Sequence, residues 1–583
     1  MSEANLLTEW AKLLMRSFAD AGITDVVLSP GSRSTPYLIA ALREPRLRCY
    51  DAIDERGAAF LALGQARWTS RPSLLLCTSG TAAAHYYPAV VEASLARVPL
   101  LVVTADRPFE LQECAAPQTI DQVKMYGSYA RLFLETGMPD AAPTALEALR
   151  RMAAQAAFAA RWPDPGPVHV NVRARKPLEP RSAQSEREHE LARFVRNMRP
   201  APRVSVPRVR AEPSAIADAV QACREARAGL IVCGPLPIQN GHVNRSGVLD
   251  LASATRFPLL AEVTSQLRLM KTGEGSGPVF CDAFDRVLAS KSFREQHAPD
   301  LILQIGGTPT SGAWERYASL HRSTPRIVLA EHGWPDASNA ASTMIVGDIA
   351  ETATAIADGL RTSPRAVTET WVRDFVEANR EARSALDAET SGDSRPLTEG
   401  RAVRALLARL PSGSALMLGN SLPIRHVESL ARTGFVDVLV ACQRGANGID
   451  GLVAGTIGTA LASSRPTTLL VGDVAFLHDL NSLMLARHVA TPVVVVVLNN
   501  QGGRIFERLP LATESKATGV TAQELSHVTT PHTLEFGPAV RMFGIAYRCV
   551  DSMRELDDAL ATAYATSVCT VIECRTPPRE DAP

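Results

Sequence analysis

The feature that most limits what this chain can fold into is a recurring unit: a short, unbroken apolar run, a polar or glycine-rich corner, then residues at helical spacing. Ser73–Cys77 reads SLLLC, Pro99–Thr104 reads PLLVVT, and Pro492–Leu498 reads PVVVVVL. Such runs, with no polar residue alternating through them, suit strands covered on both faces. That is the condition of a parallel sheet whose crossovers are helices. Helical spacing stands between the runs. Leu6, Leu7, Trp10, Leu13, Leu14 and Phe18 recur on one face before the predicted strand Asp25–Ser29.

The alternation restarts twice. Gly229–Cys233, Pro258–Val263, Leu301–Ile305, Arg326–Ala330 and Met344–Val346 are predicted strands of a middle segment. Ala415–Leu418, Val438–Ala441, Thr468–Val471 and Pro492–Leu498 open the last one. Between the first two lies 174–213, rich in Pro, Arg, Ser and Glu, which reads as a linker or surface excursion. A polar stretch over 361–400, helix then loop, separates the last two. A chain of 583 residues is too long for one core, so three α/β segments in series are expected.

Charge narrows the function. Lys plus Arg and Asp plus Glu number 61 each, which leaves no basic excess to follow a nucleic-acid backbone. Ten cysteines run from Cys49 to Cys574 without a CxxC pair, the pattern of reduced, buried thiols. The N-terminus has no basic stretch leading into a clean apolar core, and no apolar run is long enough to span a bilayer. A cytoplasmic protein is expected. The middle segment has no GxGxxG, so the usual dinucleotide fingerprint is absent.

Three groups of residues carry the chemistry. In the first, one predicted strand ends at Gly472-Asp473 and the next at Asn499-Asn500, followed by Gln501 and Gly502. Ligands of open α/β sheets bind at such carboxyl ends. A carboxylate, an amide oxygen and a backbone carbonyl are hard donors that suit Mg²⁺. Taken alone, Asp473 also reads as a helix cap and the Asn pair as a turn. The second group is YDAIDERGAAFLALGQAR, where Asp54 or Glu55 opens a helix and complements its dipole. The third is a set of strand-end loops that present Ser32 with Arg33, Ser421 with Arg425, and Arg444 beside Gly445 and Gly448. A lone arginine in a loop is an ordinary surface cation. Three in such loops of a neutral protein suggest a substrate with several carboxylates, which guanidinium groups grip two oxygens at a time.

The phrases SPGSRSTP, DERGAAFLALGQAR, CTSGTAAAHYYPAVVEAS, PLLVVTADRP, GNSLPIRHVE, RGANGIDG and NNQGGRIFERLP occur in this order. Together with Gly-Asp followed by Asn-Asn, they resemble the thiamine-diphosphate enzymes. Within that group they resemble the 2-succinyl-5-enolpyruvyl-6-hydroxy-3-cyclohexene-1-carboxylate synthases of menaquinone biosynthesis. The likeness covers both terminal segments nearly throughout and is looser in the middle.

It implies three α/β domains, each a mainly parallel sheet flanked by helices: pyrimidine-binding over 1–185, a middle domain over 200–362, and diphosphate-binding over 395–583. It implies thiamine diphosphate held through Mg²⁺, with Mn²⁺ as a possible substitute. The metal would be bound by Asp473, Asn500 and the carbonyl of Gly502. Glu55 would contact the cofactor pyrimidine and Ile449 would hold the cofactor bent. Ser32, Arg33, Gln118, Ser421, Arg425 and Arg444 would line the substrate pocket. Arg33, Gln118, Arg425 and Arg444 join Glu55 in the catalytic set, and Ser421 also borders the cofactor.

The implied reaction is decarboxylation of 2-oxoglutarate and conjugate addition of the succinyl carbanion to isochorismate. A homodimer or homotetramer with active sites between subunits is implied too. The chain departs from the family at two positions, with Val474 in place of the third Gly of Gly-Asp-Gly and Pro117 where some relatives have Asn. Two other readings are an acetohydroxyacid synthase or 2-oxo acid decarboxylase, sharing the metal motif without needing the arginines, and a non-catalytic metabolite sensor. Glu55 with Asp473 argues against the sensor.

Overall fold

The computed structural model describes residues 2–271, 277–361, 368–392, 396–434 and 436–577. The chain forms two compact units. The first comprises residues up to Val206 together with 443–467 and 475–493, and the second comprises 207–442, 468–474 and the residues from Val494 on.

The first unit is built on a six-stranded sheet: β1 Asp25–Leu28, β2 Arg48–Asp51, β3 Ser73–Cys77, β4 Leu100–Asp106, β5 Leu132–Glu135 and β6 Pro167–Arg173, in the order β2-β1-β3-β4-β6-β5. Its strands pair in parallel; Val26 lies opposite Leu74, and Leu75 opposite Val102. The apolar run of β3 and the whole of β4 are buried, as unbroken hydrophobic strands require. The helix Glu3–Asp20 places Leu7, Trp10, Leu13, Leu14 and Phe18 in this core, with the Ser2 hydroxyl accepting from the Asn5 N–H as its cap.

The second unit carries two sheets. The middle one joins β7 Gly229–Cys233, β8 Leu259–Ala261, β9 Leu301–Ile305, β10 Arg326–Ala330 and β11 Thr343–Val346 in the order β11-β10-β9-β7-β8. The other joins β12 Ala415–Leu418, β13 Leu439–Cys442, β14 Thr467–Gly472, β15 Val493–Asn499, β16 Ala546–Val550 and β17 Cys569–Arg575 in the order β13-β12-β14-β15-β17-β16. The first and third sheets therefore share one strand order. In each, the direction of winding reverses beside the first strand, the place where open α/β sheets form a ligand crevice.

Two features differ from the sequence expectation. The supposed linker 174–213 contains a helix, Glu186–Asn197, closed by a Ser185–Glu188 capping box, and its Leu191 and Val195 pack into the first core. Only three of its twelve residues are buried, so its apolar signal is faint beside the charges. The strands β6 and β17 are buried yet carry His169, Asn171 and Arg173, or Glu573, inside the protein. The polar chains of β6 meet Asp106 at the end of β4: Asn171 Nδ2 donates to Asp106 Oδ2 at 2.9 Å, and Arg173 pairs with Asp106 at 3.0 Å. None of the ten cysteines forms a disulfide. Among the described residues no helix is long and apolar enough to cross a membrane.

Candidate active site

In the second unit, the carboxyl ends of β14 and β15 bring Asp473 and the 499–502 turn together. Asp473 is 2% exposed and opens the short helix Asp473–His478. Its Oδ2 accepts from the Gly502 N–H and its Oδ1 from the Val474 N–H, both at 2.8 Å. His532 Nε2 lies 3.2 Å from Oδ2. Burial pushes the carboxyl above its ordinary value, against the pull of these amides and of His532. The departure at position 474 leaves this bond in place, since it uses only the backbone N–H, which valine also has.

Asn500 is anchored by its nitrogen. Nδ2 donates to Glu399 Oε1 at 2.7 Å, while Oδ1 is buried without a partner. Gly502 has φ +144°, and a Cβ there would come within 2.7 Å of the Thr529 carbonyl, so the turn requires glycine. Among the described residues no three His, Cys, Asp or Glu side chains gather as a metal site. The set here is of another kind: one buried carboxylate, one orphaned amide oxygen, and backbone. These fit a hard cation such as Mg²⁺. After β12, Ser421 stands at φ +72°, ψ −128°, a conformation costly for any residue with a side chain. Arg425 follows on the helix Leu422–Leu430; it is exposed, and its Nη1 donates to the Ser421 carbonyl at 2.6 Å.

The first unit gathers the remaining residues. Asp54 caps the helix Glu55–Thr69 and is tied to Arg56 by its backbone N–H at 3.0 Å and by its guanidinium at 2.8 Å. The Arg56 guanidinium outweighs partial burial and holds the Asp54 carboxyl below its ordinary range. Asp54 is thus engaged as a cap. Glu55, half-buried in the first turn, is the acid left with its carboxylate unbonded among the described residues. The same helix meets the loop that carries Ile449: a Cβ on Gly451 would fall 1.8 Å from the Phe60 ring, and one on Gly64 would fall 2.1 Å from the Gly455 carbonyl. Those glycines let the Ile449 loop and its following helix, Leu452–Ser463, lie directly against the Glu55 helix.

A second junction forms around Thr78–Gly80. The Arg33 N–H donates to Thr78 Oγ1 at 3.3 Å, the Gln118 amide to the Ser79 carbonyl at 3.2 Å, and the Gly80 N–H to Gln122 Oε1 at 3.1 Å. Arg33 is 5% exposed; its Nη1 reaches the Ala174 carbonyl at 2.6 Å and its Nε is buried without a partner. Burial, then the neighbouring Arg107, lowers its pKa. An anion would satisfy that orphaned donor. Ser32 and Gln118 are exposed, and Arg444 is half-buried.

The sequence expectations thus fall into two groups. Ser32, Arg33, Glu55, Gln118, Arg444 and Ile449 lie in the first unit, and Ser421, Arg425, Asp473, Asn500 and Gly502 in the second. Glu92, Gln122, Glu399 and His532 escaped sequence reasoning. Glu92 lies inside CTSGTAAAHYYPAVVEAS and Gln122 ends AAPQTIDQ, but nothing in their local pattern marks them.

The model of the thiamine pyrophosphate enzyme N-terminal TPP binding domain matches residues 8–125, and that of the C-terminal TPP binding domain matches residues 445–574. The chain is therefore a thiamine-pyrophosphate enzyme. The 2-succinyl-5-enolpyruvyl-6-hydroxy-3-cyclohexene-1-carboxylate synthase of Sorangium cellulosum is 42% identical, covering 100% of this chain and 95% of that protein. Proteins of the same name from Geobacillus kaustophilus and Myxococcus xanthus are 37% and 36% identical, over 98% and 93% of this chain and 96% and 90% of theirs. The chain belongs to the 2-succinyl-5-enolpyruvyl-6-hydroxy-3-cyclohexene-1-carboxylate synthase family.

Proposed function

We propose that this enzyme decarboxylates 2-oxoglutarate and adds the four-carbon fragment to isochorismate. The observation that carries this reading is the full-length likeness to synthases named for that product. When bound, thiamine diphosphate supplies the electron sink for decarboxylation and carries the fragment to its acceptor.

The protein's share is binding, orientation and proton handling. Asp473, the free Oδ1 of Asn500 and the Gly502 carbonyl would hold Mg²⁺, or Mn²⁺ in its place, for the diphosphate. The burial of Asp473 and the unpartnered Asn500 Oδ1 support this, because a bound cation would compensate both. Glu55, free at the start of its helix, would exchange a proton with the pyrimidine nitrogen. Ile449, on the loop packed against that helix, would keep the cofactor bent. Arg33, Arg425 and Arg444, with Ser32, Gln118 and Ser421, would receive the substrate carboxylates and hydroxyl. The unpaired buried Nε of Arg33 supports an anion there.

We assign pyrimidine binding to 1–185, a middle domain to 200–362 and diphosphate binding to 395–583; the three sheets support this division. A homodimer or homotetramer and a cytoplasmic setting complete the proposal, ten cysteines without a disulfide suiting a reducing compartment.

The test is to mix the protein with thiamine diphosphate, Mg²⁺ and 2-oxoglutarate, then add isochorismate. Mass spectrometry should detect the succinylated adduct only in the complete mixture. Absence of that adduct from the complete mixture would refute the assignment.

A further inference from the structure

We infer that Glu399 is a positioning residue that selects which end of the Asn500 side chain is offered to the metal. This deepens the metal reading above and rests on it. The two ends of a primary amide are nearly alike in size, and a half-turn exchanges them, so only their partners choose between oxygen and nitrogen. Here the partner is a carboxylate, which accepts and cannot donate when ionised. Glu399 Oε1 takes the hydrogen of Asn500 Nδ2 at 2.7 Å. The reversed amide would set oxygen against oxygen. Oδ1 is therefore the end left buried without a partner, and oxygen is the end a hard cation requires.

Glu399 is itself held from the other side. Its Oε2 lies 3.0 Å from His426 Nε2, on the helix that carries Arg425. It opens the helix Glu399–Arg409, whose Thr398 hydroxyl accepts from the Arg401 N–H. An anchored acceptor, a donated amide and an orphaned oxygen form one chain of 101 positions' separation in sequence. Partners that orient metal-binding groups in this way typically change affinity by about 10–100-fold when removed.

The experiment is calorimetric titration of thiamine diphosphate into the full-length, cofactor-stripped protein at a series of Mg²⁺ concentrations. The variants are Glu399→Met, Glu399→Gln, Asn500→Ala, the Glu399→Met/Asn500→Ala double variant, and Asp473→Ala. Glu399→Met should weaken binding about 10–100-fold at low Mg²⁺ and recover at saturating Mg²⁺. Glu399→Gln, whose amide oxygen still accepts from Nδ2, should stay within about threefold of the parent. Adding Glu399→Met to Asn500→Ala should cost nothing further, because the residue acts through the amide. A purely structural role would lower the thermal midpoint of the unliganded protein and would resist rescue by Mg²⁺.

Parental Mg²⁺ dependence in Glu399→Met, a glutamine variant as weak as the methionine one, or additive losses in the double variant would each overturn the inference. If Asp473→Ala also binds as the parent does, the metal reading itself fails. If only Glu399→Met does, the positioning role fails alone.

Discussion

Glu92 and Ala446 are 354 positions apart in the chain and meet through a 2.7 Å hydrogen bond, the carboxylate accepting from the backbone. Its other oxygen accepts the Gly445 N–H at 3.0 Å and pairs with Arg67 at 2.9 Å. A Cβ on Gly445 would fall 2.7 Å from the Ala96 nitrogen, so the loop approaches the helix bearing Glu92 as closely as backbone permits. One buried acid thereby fixes the RGANGIDG loop between Arg444 and Ile449.

Glu92→Gln keeps an acceptor but loses the charge that holds both amides and Arg67. Arg444 should then wander, raising the KM for a carboxylate substrate about tenfold, or roughly 1.4 kcal/mol. Cofactor affinity should stay near parental. Steady-state kinetics with each substrate varied in turn is the measurement, and unchanged KM values for both would dissociate Glu92 from the pocket.

The arginines offer a sharper chemical test. Lysine at position 33, 425 or 444 keeps the charge and loses the planar fork. Each replacement should lower apparent affinity for one substrate by roughly tenfold or more, and Arg33→Lys should be the most severe, being the most buried of the three. Parental kinetics in all three variants would take the substrate carboxylates elsewhere.

Glu55→Gln preserves the size of the side chain and removes its capacity to relay a proton. Thiamine diphosphate should still bind, while hydrogen–deuterium exchange at its C2 position slows on the order of a hundredfold, the scale of a positioned acid–base group. NMR after acid quench reads this directly. Equal exchange in parent and variant would end the proton role of Glu55. Asp54 would be a poor substitute, given its ties to Arg56.

A fourth expectation concerns pH and stability. Asp479 is buried, and burial lifts its carboxyl from 3.8 to about 6, although it accepts from the Ala454 N–H at 2.9 Å and the Ser482 hydroxyl at 2.5 Å. The folded protein thus holds this proton more tightly than the unfolded chain does. Its contribution to stability is fully present below the unfolded value and is lost as pH rises through about 6. Two pKa units correspond to about 3 kcal/mol. Asp479→Asn can accept from the helix amides and donate to Ser482, so it should lose that slope and gain on the parent as pH rises. Denaturant unfolding of both proteins at pH values either side of this window checks it; a constant difference between them would count against the burial account.

The legibility of the chain followed its solvent geometry. β3, β7, β9, β10 and β12 matched the apolar runs read from sequence, because a strand covered on both faces leaves an unbroken hydrophobic signature. β2 and β16 did not, since they run along the sheet margins with much of their length exposed. β6 was hidden by its interior His169 and Asn171, whose hydrogen-bond partners, such as Thr104, are distant in sequence. The same reason separates the visible from the invisible parts of the site. Asp473 and Asn500 sit at strand ends, where local pattern marks them. Glu92 and Glu399 act across hundreds of positions or about a hundred, and no local pattern records such a pairing.

Ser421 bears on any effort to make this enzyme more robust. Glycine would adopt its backbone conformation without the steric cost that serine carries. A selection for heat resistance alone would therefore favour glycine at this position early, and Gln118 and Gln501, also at positive φ, would be drawn the same way. Thermostability screens that never assay turnover would erode loops proposed to receive substrate and cofactor, and would report each step as an improvement.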